Sequence, residues 1–312
     1  MAGSDKIHFM KIGAHQSIVG NYSQALERIK NIGGNCLQIF SSSPRSWNFT
    51  KVDEVQATQF RNKKSELNIN PIYFHSSYLI NLANEEKIGN LSKLSLISEL
   101  SVAPKLGIKG SIIHLGSFKN FDKGTNILEP GRSLFNPKLT KLRDRVILSM
   151  NKKISVLMKH IFEILEKTPQ DSLFIIENAG NNKIGKNLDE IAEIIKQVNN
   201  PRVRVCLDTC HLHSAGYDLT TSEKLNKFLN EFDKLIGLQR LELFHINDSR
   251  DPFNSGRDRH QNIGEGTINM EVFRLLLNHP KLKHLPFIVE TPGFKYQGPD
   301  KKNLDILKSL IR

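Results

Sequence analysis

Short apolar runs alternate with longer amphipathic stretches along this chain, and six of the runs stop at a residue that can bind a metal ion. Pro71-Ile72-Tyr73-Phe74 ends at His75, Ser111-Ile112-Ile113 at His114, and Leu173-Phe174-Ile175-Ile176 at Glu177. Val203-Arg204-Val205-Cys206-Leu207 ends at Asp208, with His211 close behind. Leu241-Glu242-Leu243-Phe244 ends at His245, and Pro286-Phe287-Ile288-Val289 at Glu290. Runs this short, rich in Ile, Val and Phe, predict parallel strands buried on both faces. Two further strands are predicted before them, at 7–13 and 36–40, the first running on to Ala14-His15.

The stretches between the runs carry helical spacing. Residues 22–32 come first, closed by Gly33-Gly34 as a stop signal. Others are predicted at 52–67, 91–106, 142–167, 188–198, 222–235, 270–278 and 302–311. Eight strands alternating with helices predict an α/β protein: a single-domain (β/α)8 TIM barrel over 7–312, with its active site at the C-terminal ends of the strands. One segment breaks the rhythm. Residues 118–140 are rich in Gly, Pro, Asn and basic side chains and have no period, which predicts a long inserted loop over the catalytic face.

Two loops add to the strand-end residues. Asp208-Thr209-Cys210-His211 sets a carboxylate and an imidazole three apart where the chain turns off a strand. Asp258 and His260 stand two apart, so an extended backbone aims both the same way. The candidates are then five histidines (His75, His114, His211, His245, His260) and four carboxylates (Glu177, Asp208, Asp258, Glu290). Such a nitrogen and oxygen set suits Zn²⁺, Mn²⁺ or Fe²⁺, and it exceeds what one ion can use. Three ions fit the count, with one carboxylate bridging. Three divalent ions against four carboxylates leave roughly two positive charges, which suits phosphate. A lone histidine at a strand end is usually a packing residue, and an acid there is often a helix cap. Five histidines in order are not what capping selects. His8, His160, His279 and His284 fall outside the pattern, His15 reads as a supporting residue behind the ligands, and His213 as pointing away.

Composition sharpens this. A net charge of +12 favours a polyanionic partner through counterion release, although AT-rich codon usage gives the same bias. Three cysteines without framework spacing predict free thiols and an intracellular, reducing compartment. No apolar stretch approaches the roughly 20 residues of a membrane span, no secretory signal is visible, and monomer is the default expectation.

Taken together, several segments resemble the endonuclease IV family of apurinic/apyrimidinic endonucleases. They are Gly13-Ala14-His15, His75-Ser76-Ser77-Tyr78-Leu79, His114-Leu115-Gly116-Ser117, Ile176-Glu177-Asn178 and Cys206-Leu207-Asp208-Thr209-Cys210-His211. Gly216-Tyr217-Asp218, His245-Ile246-Asn247-Asp248-Ser249, Asp258-Arg259-His260, Ile263-Gly264-Glu265-Gly266 and Glu290-Thr291 continue the order. The resemblance implies three Zn²⁺ ions in the barrel mouth. His75, His114 and Glu177 would hold the first. Glu177 would bridge to a second, held also by Asp208, His245 and Glu290, and His211, Asp258 and His260 would hold the third. It further implies a DNA-repair hydrolase acting on double-stranded DNA, cutting 5′ to an abasic site to leave a 3′-hydroxyl and a 5′-deoxyribose phosphate, with 3′-repair phosphodiesterase activity as a possible extension. Glu177 and Glu290 are the candidates for moving a proton.

For DNA contact, Arg45 matches a family position that enters the minor groove, and Tyr78 and Leu79 match residues that wedge into the base stack. Arg259, Lys119, Lys123 and Arg132 are further DNA-binding candidates, the last three from the inserted loop. The sequence departs from the family at His75-Ser76-Ser77-Tyr78, where His-Asp-Ser-Tyr is usual, at His114-Leu115-Gly116-Ser117, where His-Pro-Gly-Ser is usual, and at Glu177-Asn178-Ala179-Gly180, one residue short. None of the three departures removes a ligand. A metal-dependent sugar isomerase or epimerase of the related barrel superfamily is the alternative; it has less use for Asp258, His260 and the basic charge.

Overall fold

The computed structural model describes residues 10–118 and 137–312, with side chains from 152 onward in the second stretch. Strands β1 (Lys11–Gln16), β2 (Cys36–Phe40), β3 (Ile72–His75) and β4 (Gly110–Ile113) are followed by β5 (Leu173–Glu177), β6 (Val203–Asp208), β7 (Leu241–His245) and β8 (Pro286–Val289). Each pairs in parallel with its neighbours in sequence, and β8 closes on β1, with Gly13 opposite Ile288. The helices between them are α1 (Tyr22–Asn31), α2 (Glu54–Leu67), α3 (Lys87–Val102), α4 (Pro137–Glu166), α5 (Leu188–Val198), α6 (Thr209–Ser214), α7 (Ser222–Leu235), α8 (Met270–Asn278) and α9 (Lys301–Ser309). The predicted barrel is therefore the observed one.

The strand period explains where the polar residues go. Side chains alternate between barrel interior and surrounding helices. Cys36, Tyr73, Ile112, Ile175, Cys206, Leu243 and Ile288 form a buried cluster of their own, separate from the larger core between strands and helices. Two residues beyond these interior positions lie Gln38, His75, His114, Glu177, Asp208, His245 and Glu290. One apolar layer thus plugs the barrel, and the next layer towards the C-terminal mouth is polar. Gly13 on β1 is required by close approach, because a Cβ there would lie 1.9 Å from the Cys36 carbonyl oxygen.

Element ends differ from the expected ones for local reasons. Helix α2 starts at Glu54, because Asp53 caps it in a reciprocal box with Gln56. Helix α3 starts four residues before the expected position and stops at Val102, with Pro104–Leu106 forming a 3-10 turn. Helix α4 begins at Pro137, so the end of the expected 118–140 loop is helical. Residues 119–136, with Lys119, Lys123 and Arg132, lie outside the described residues, as do residues 1–9 with the start of the expected first strand. The three cysteines are free and buried. No helix among the described residues is long and apolar enough to cross a membrane.

Glu99 on α3 is a buried acid that belongs to the fold. It sits between the hydroxyls of Ser41, just past β2, and Ser111 on β4. Burial pushes its carboxyl up to about 7, against the opposing hydrogen bonds of the two serines. The folded protein therefore holds this proton more tightly than the unfolded chain does. The resulting stability is full below about pH 4.5 and is lost as pH rises through 7. Glu99→Gln should remove this dependence, worth roughly 3 kcal/mol between the two limits. Denaturant unfolding at pH 5 and pH 8.5 measures it, and equal pH slopes for the variant and the parent would contradict the assignment.

Candidate metal centre

Glu177, at the end of β5, is fully buried at the middle of the polar layer. One carboxylate oxygen lies 3.1 Å from His75 Nε2 and 3.2 Å from His114 Nε2. The other lies 3.0 Å from His245 Nδ1 and 3.3 Å from His211 Nδ1. His245 Nδ1 also faces Glu290 at 3.3 Å and Asp208 at 3.8 Å. His211 Nε2 is 2.9 Å from Asp258, and His260 Nε2 is 3.6 Å from both Asp208 and Asp258.

Three groups with ligand atoms within 4.8 Å of one another follow: His75, His114 and Glu177; Glu177, Asp208, His245 and Glu290; His211, Asp258 and His260. All nine residues singled out in the sequence are brought together. Asp208, Cys210 and His260 also bring ligand atoms within 4.8 Å of one another. Burial pushes the Cys210 thiol above its ordinary range, which disfavours the thiolate that would bind.

The hydrogen-bond directions fit cations. His75 Nδ1 lies 2.9 Å from the Ser76 carbonyl oxygen and must donate to it, which leaves the Nε2 lone pair facing Glu177. His211 Nδ1 donates to the Asn178 carbonyl at 2.8 Å, which turns its Nε2 lone pair towards Asp258. His245 Nε2 donates to Gln38 Oε1 at 2.6 Å and presents Nδ1 to three carboxylates. His260 Nε2 is buried without a hydrogen-bond partner. A neutral imidazole lone pair aimed at a carboxylate is repulsive unless positive charge lies between them. Each of the three groups contains such a histidine, so the donor set fits divalent ions.

The electrostatics agree. Burial acts to raise the Glu177 carboxyl, but the charges of His114 and His245 and hydrogen bonds from His245 and His75 hold it well below the carboxylate range. Glu290 is held down to about 2, with His245 and His75 outweighing burial. For Asp258, His211 and His260 outweigh burial and push it down. The carboxylates in turn outweigh burial to raise His75 and His211. His245 rises as well, with Cys206, Glu290 and Glu177 opposing burial. Burial wins at His114, which falls to about 4 despite Glu177. The layer thus demands positive charge among its carboxylates.

Neighbouring residues hold the ligands in place. Asp208 has two roles: Oδ1 caps α6 by accepting from His211 N at 3.0 Å, while Oδ2 accepts from Asn247 Nδ2 at 2.6 Å. Asn247 Oδ1 accepts from the Glu290 backbone at 2.7 Å, tying β7 to β8. Asp248 accepts from the backbone N–H groups of Gly264, Gly266 and Ile268, each at 3.0 Å, and fixes the loop that follows His260. Gln38 also donates to Glu290 Oε1 at 2.5 Å and lies 2.8 Å from His15 Nδ1. His15 lies behind the ligands, where burial lowers it to about 4. Nothing at the sequence level singled out Gln38; its signal is an amide inside a buried run, two residues past an interior cysteine.

The centre opens into a cavity of about 410 Å³ that also touches His15, Tyr78, Lys183 and Pro299. Tyr78 is 67% exposed and Leu79 36% exposed, with the Tyr78 ring edge-on to Phe40 at 5.3 Å. Arg45 is exposed, and Trp47 packs on the core. Arg259 is already engaged: one edge of its guanidinium, Nε and Nη2, meets Asp251, while its side chain stays 54% exposed.

The chain matches the xylose isomerase-like TIM barrel family over residues 26–310. A probable endonuclease 4 of Persephonella marina is 34% identical over 309 residues, covering 97% of this chain and 98% of that protein. A probable endonuclease 4 of a Sulfurihydrogenibium species is 35% identical over 306 residues, covering 97% of this chain and 100% of that protein. The crystal structure of endonuclease IV from Thermus thermophilus superposes with a TM-score of 0.77 at 28% identity, covering 96% of this chain and 98% of that one.

Gln38→Leu keeps the side-chain size but removes the acceptor for His245 and the donor for Glu290. It should weaken metal retention by about 10- to 100-fold while leaving the circular dichroism spectrum unchanged. Competition against a chromogenic chelator measures it, and unaltered retention would show that Gln38 is dispensable.

Proposed function

The chain belongs to the endonuclease IV family of TIM barrels, and on that premise we propose that it hydrolyses the phosphodiester 5′ to an abasic site in double-stranded DNA. The products would be a 3′-hydroxyl and a 5′-deoxyribose phosphate, and blocked 3′ ends are a secondary substrate. One observation carries this reading: three ligand groups of which two share Glu177. The third group, His211, Asp258 and His260, and the net charge of +12 favour a phosphodiester over a sugar.

His75, His114 and Glu177 would hold one ion; Glu177, Asp208, His245 and Glu290 a second; His211, Asp258 and His260 a third. Zn²⁺ suits the set, and Mn²⁺ or Fe²⁺ can replace it. Bound there, such ions lower the pKa of water towards neutrality and offset negative charge on phosphate oxygens.

Of the two acids proposed to move protons, Glu290 has access, since its side chain is 16% exposed and borders the cavity. Glu177 is sealed by imidazoles, and its role is to hold charge. Tyr78 and Leu79 project from the mouth where an apolar wedge can enter a base stack, and an abasic step has the least stacking to lose. Arg45 adds a cation for the groove. Arg259, braced by Asp251, meets the backbone with its exposed edge. The protein acts as a monomer.

Incision of a duplex with one abasic site tests this. Glu177→Gln and Asp258→Ala should each lower kcat by on the order of a thousand-fold, and chelation should abolish cutting until Zn²⁺ is restored. Wild-type rates in either variant would overturn the reading.

A further inference from the structure

Lys183 stands at the mouth of the metal centre with no assigned role. It lines the cavity beside His114, His211 and Asp258. Its charge is near enough to push His114 downward, after burial and His211 and His75. It is half-buried, and among the described residues no carboxylate pairs with it and no hydrogen bond ties its ammonium. Lys224, Lys301 and Lys93, by contrast, meet Asp218, Asp305 and Glu163, each at 2.6 Å.

The backbone around it is fixed. Ile184, the next residue, is buried and donates to the Gly116 carbonyl at 3.0 Å. Ala179 N donates to the Gly185 carbonyl at 3.0 Å, closing the turn, and Gly185 N donates to Glu190 at 2.9 Å. Gly185 has φ +93°, which a side chain would strain. The loop therefore holds the stem of Lys183 at the rim.

With cations held in the centre, an unpaired ammonium at its rim would be repelled unless an anion entered between them. We propose that Lys183 is a substrate-positioning residue that holds a non-bridging oxygen of a DNA backbone phosphate at the His114 and His211 side of the mouth. This rests on the nuclease reading above and adds to it the residue that grips the strand. The ammonium acts as a point charge, so it strengthens binding without selecting a base.

The test combines steady-state incision of abasic duplex with anisotropy binding to the incised product, both from 50 to 200 mM salt. For Lys183→Gln the expected outcome is a roughly tenfold rise in KM and in Kd, with the larger effect on KM than on kcat. The slope of log Kd against log salt should become shallower by about 0.9, the value for one lost phosphate contact. Lys183→Glu should weaken binding further and Lys183→Arg should restore it. Melting temperatures should stay level across the series, since the side chain carries no structural bond. If wild type cuts but Lys183→Gln matches it in KM, Kd and salt slope, this assignment fails and the nuclease reading stands. If wild type neither binds nor cuts abasic duplex, both fall.

Discussion

A carboxylate with no solvent exposure cannot stay ionised in a barrel unless the barrel surrounds it with positive charge. Glu177 sets that condition here, and the catalytic end of the protein is built to meet it. Four imidazoles point nitrogen atoms at its two oxygens. Two of those imidazoles, His75 and His245, have their far nitrogens committed to Ser76 and Gln38, so their near atoms are lone pairs, while His211 turns its lone pair to Asp258. The arrangement is repulsive by itself and becomes favourable around cations.

The barrel supplies this geometry at small cost in complexity. A strand repeats its facing every second residue, so a hydrophobic interior position and a ligand position two residues on require no irregular backbone. Tyr73 with His75, Ile112 with His114 and Ile175 with Glu177 are three instances of the same spacing. The apolar layer beneath also contains Cys36 and Cys206. Burial raises both thiols, Cys206 to about 12, so the softer donors under the centre stay protonated and leave the nitrogen and oxygen donors above as the ones available to a cation.

This is why so much was legible in the sequence. The strand ends are visible as residues because the inward face of a buried parallel strand has nowhere to put a charge except the mouth. The helix boundaries were less legible. Asp53 delays α2, and Pro137 starts α4 within sequence of loop composition, through capping and backbone effects that periodicity does not register. Asp208 was readable either as a cap or as a ligand, and the structure uses one oxygen for each. Gln38 was hidden because an uncharged amide in an apolar run reads as tolerance of polarity. Lys183 was hidden for the opposite reason, being one basic residue among 44. Arg259 stood out by its place between two ligands, yet much of its guanidinium is spent on Asp251.

Because Glu177 belongs to two of the three ligand groups, those groups are not separate compartments. An ion in one would polarise the carboxylate that the other needs and fix the imidazoles around it. Filling would then be coupled: the first ion would hold the shared carboxylate and its imidazoles in the arrangement that the next one needs. A population short of metal should divide into full and empty molecules more than into evenly half-filled ones. Average stoichiometry would then report the fraction of competent molecules, and repair capacity would scale with it in proportion.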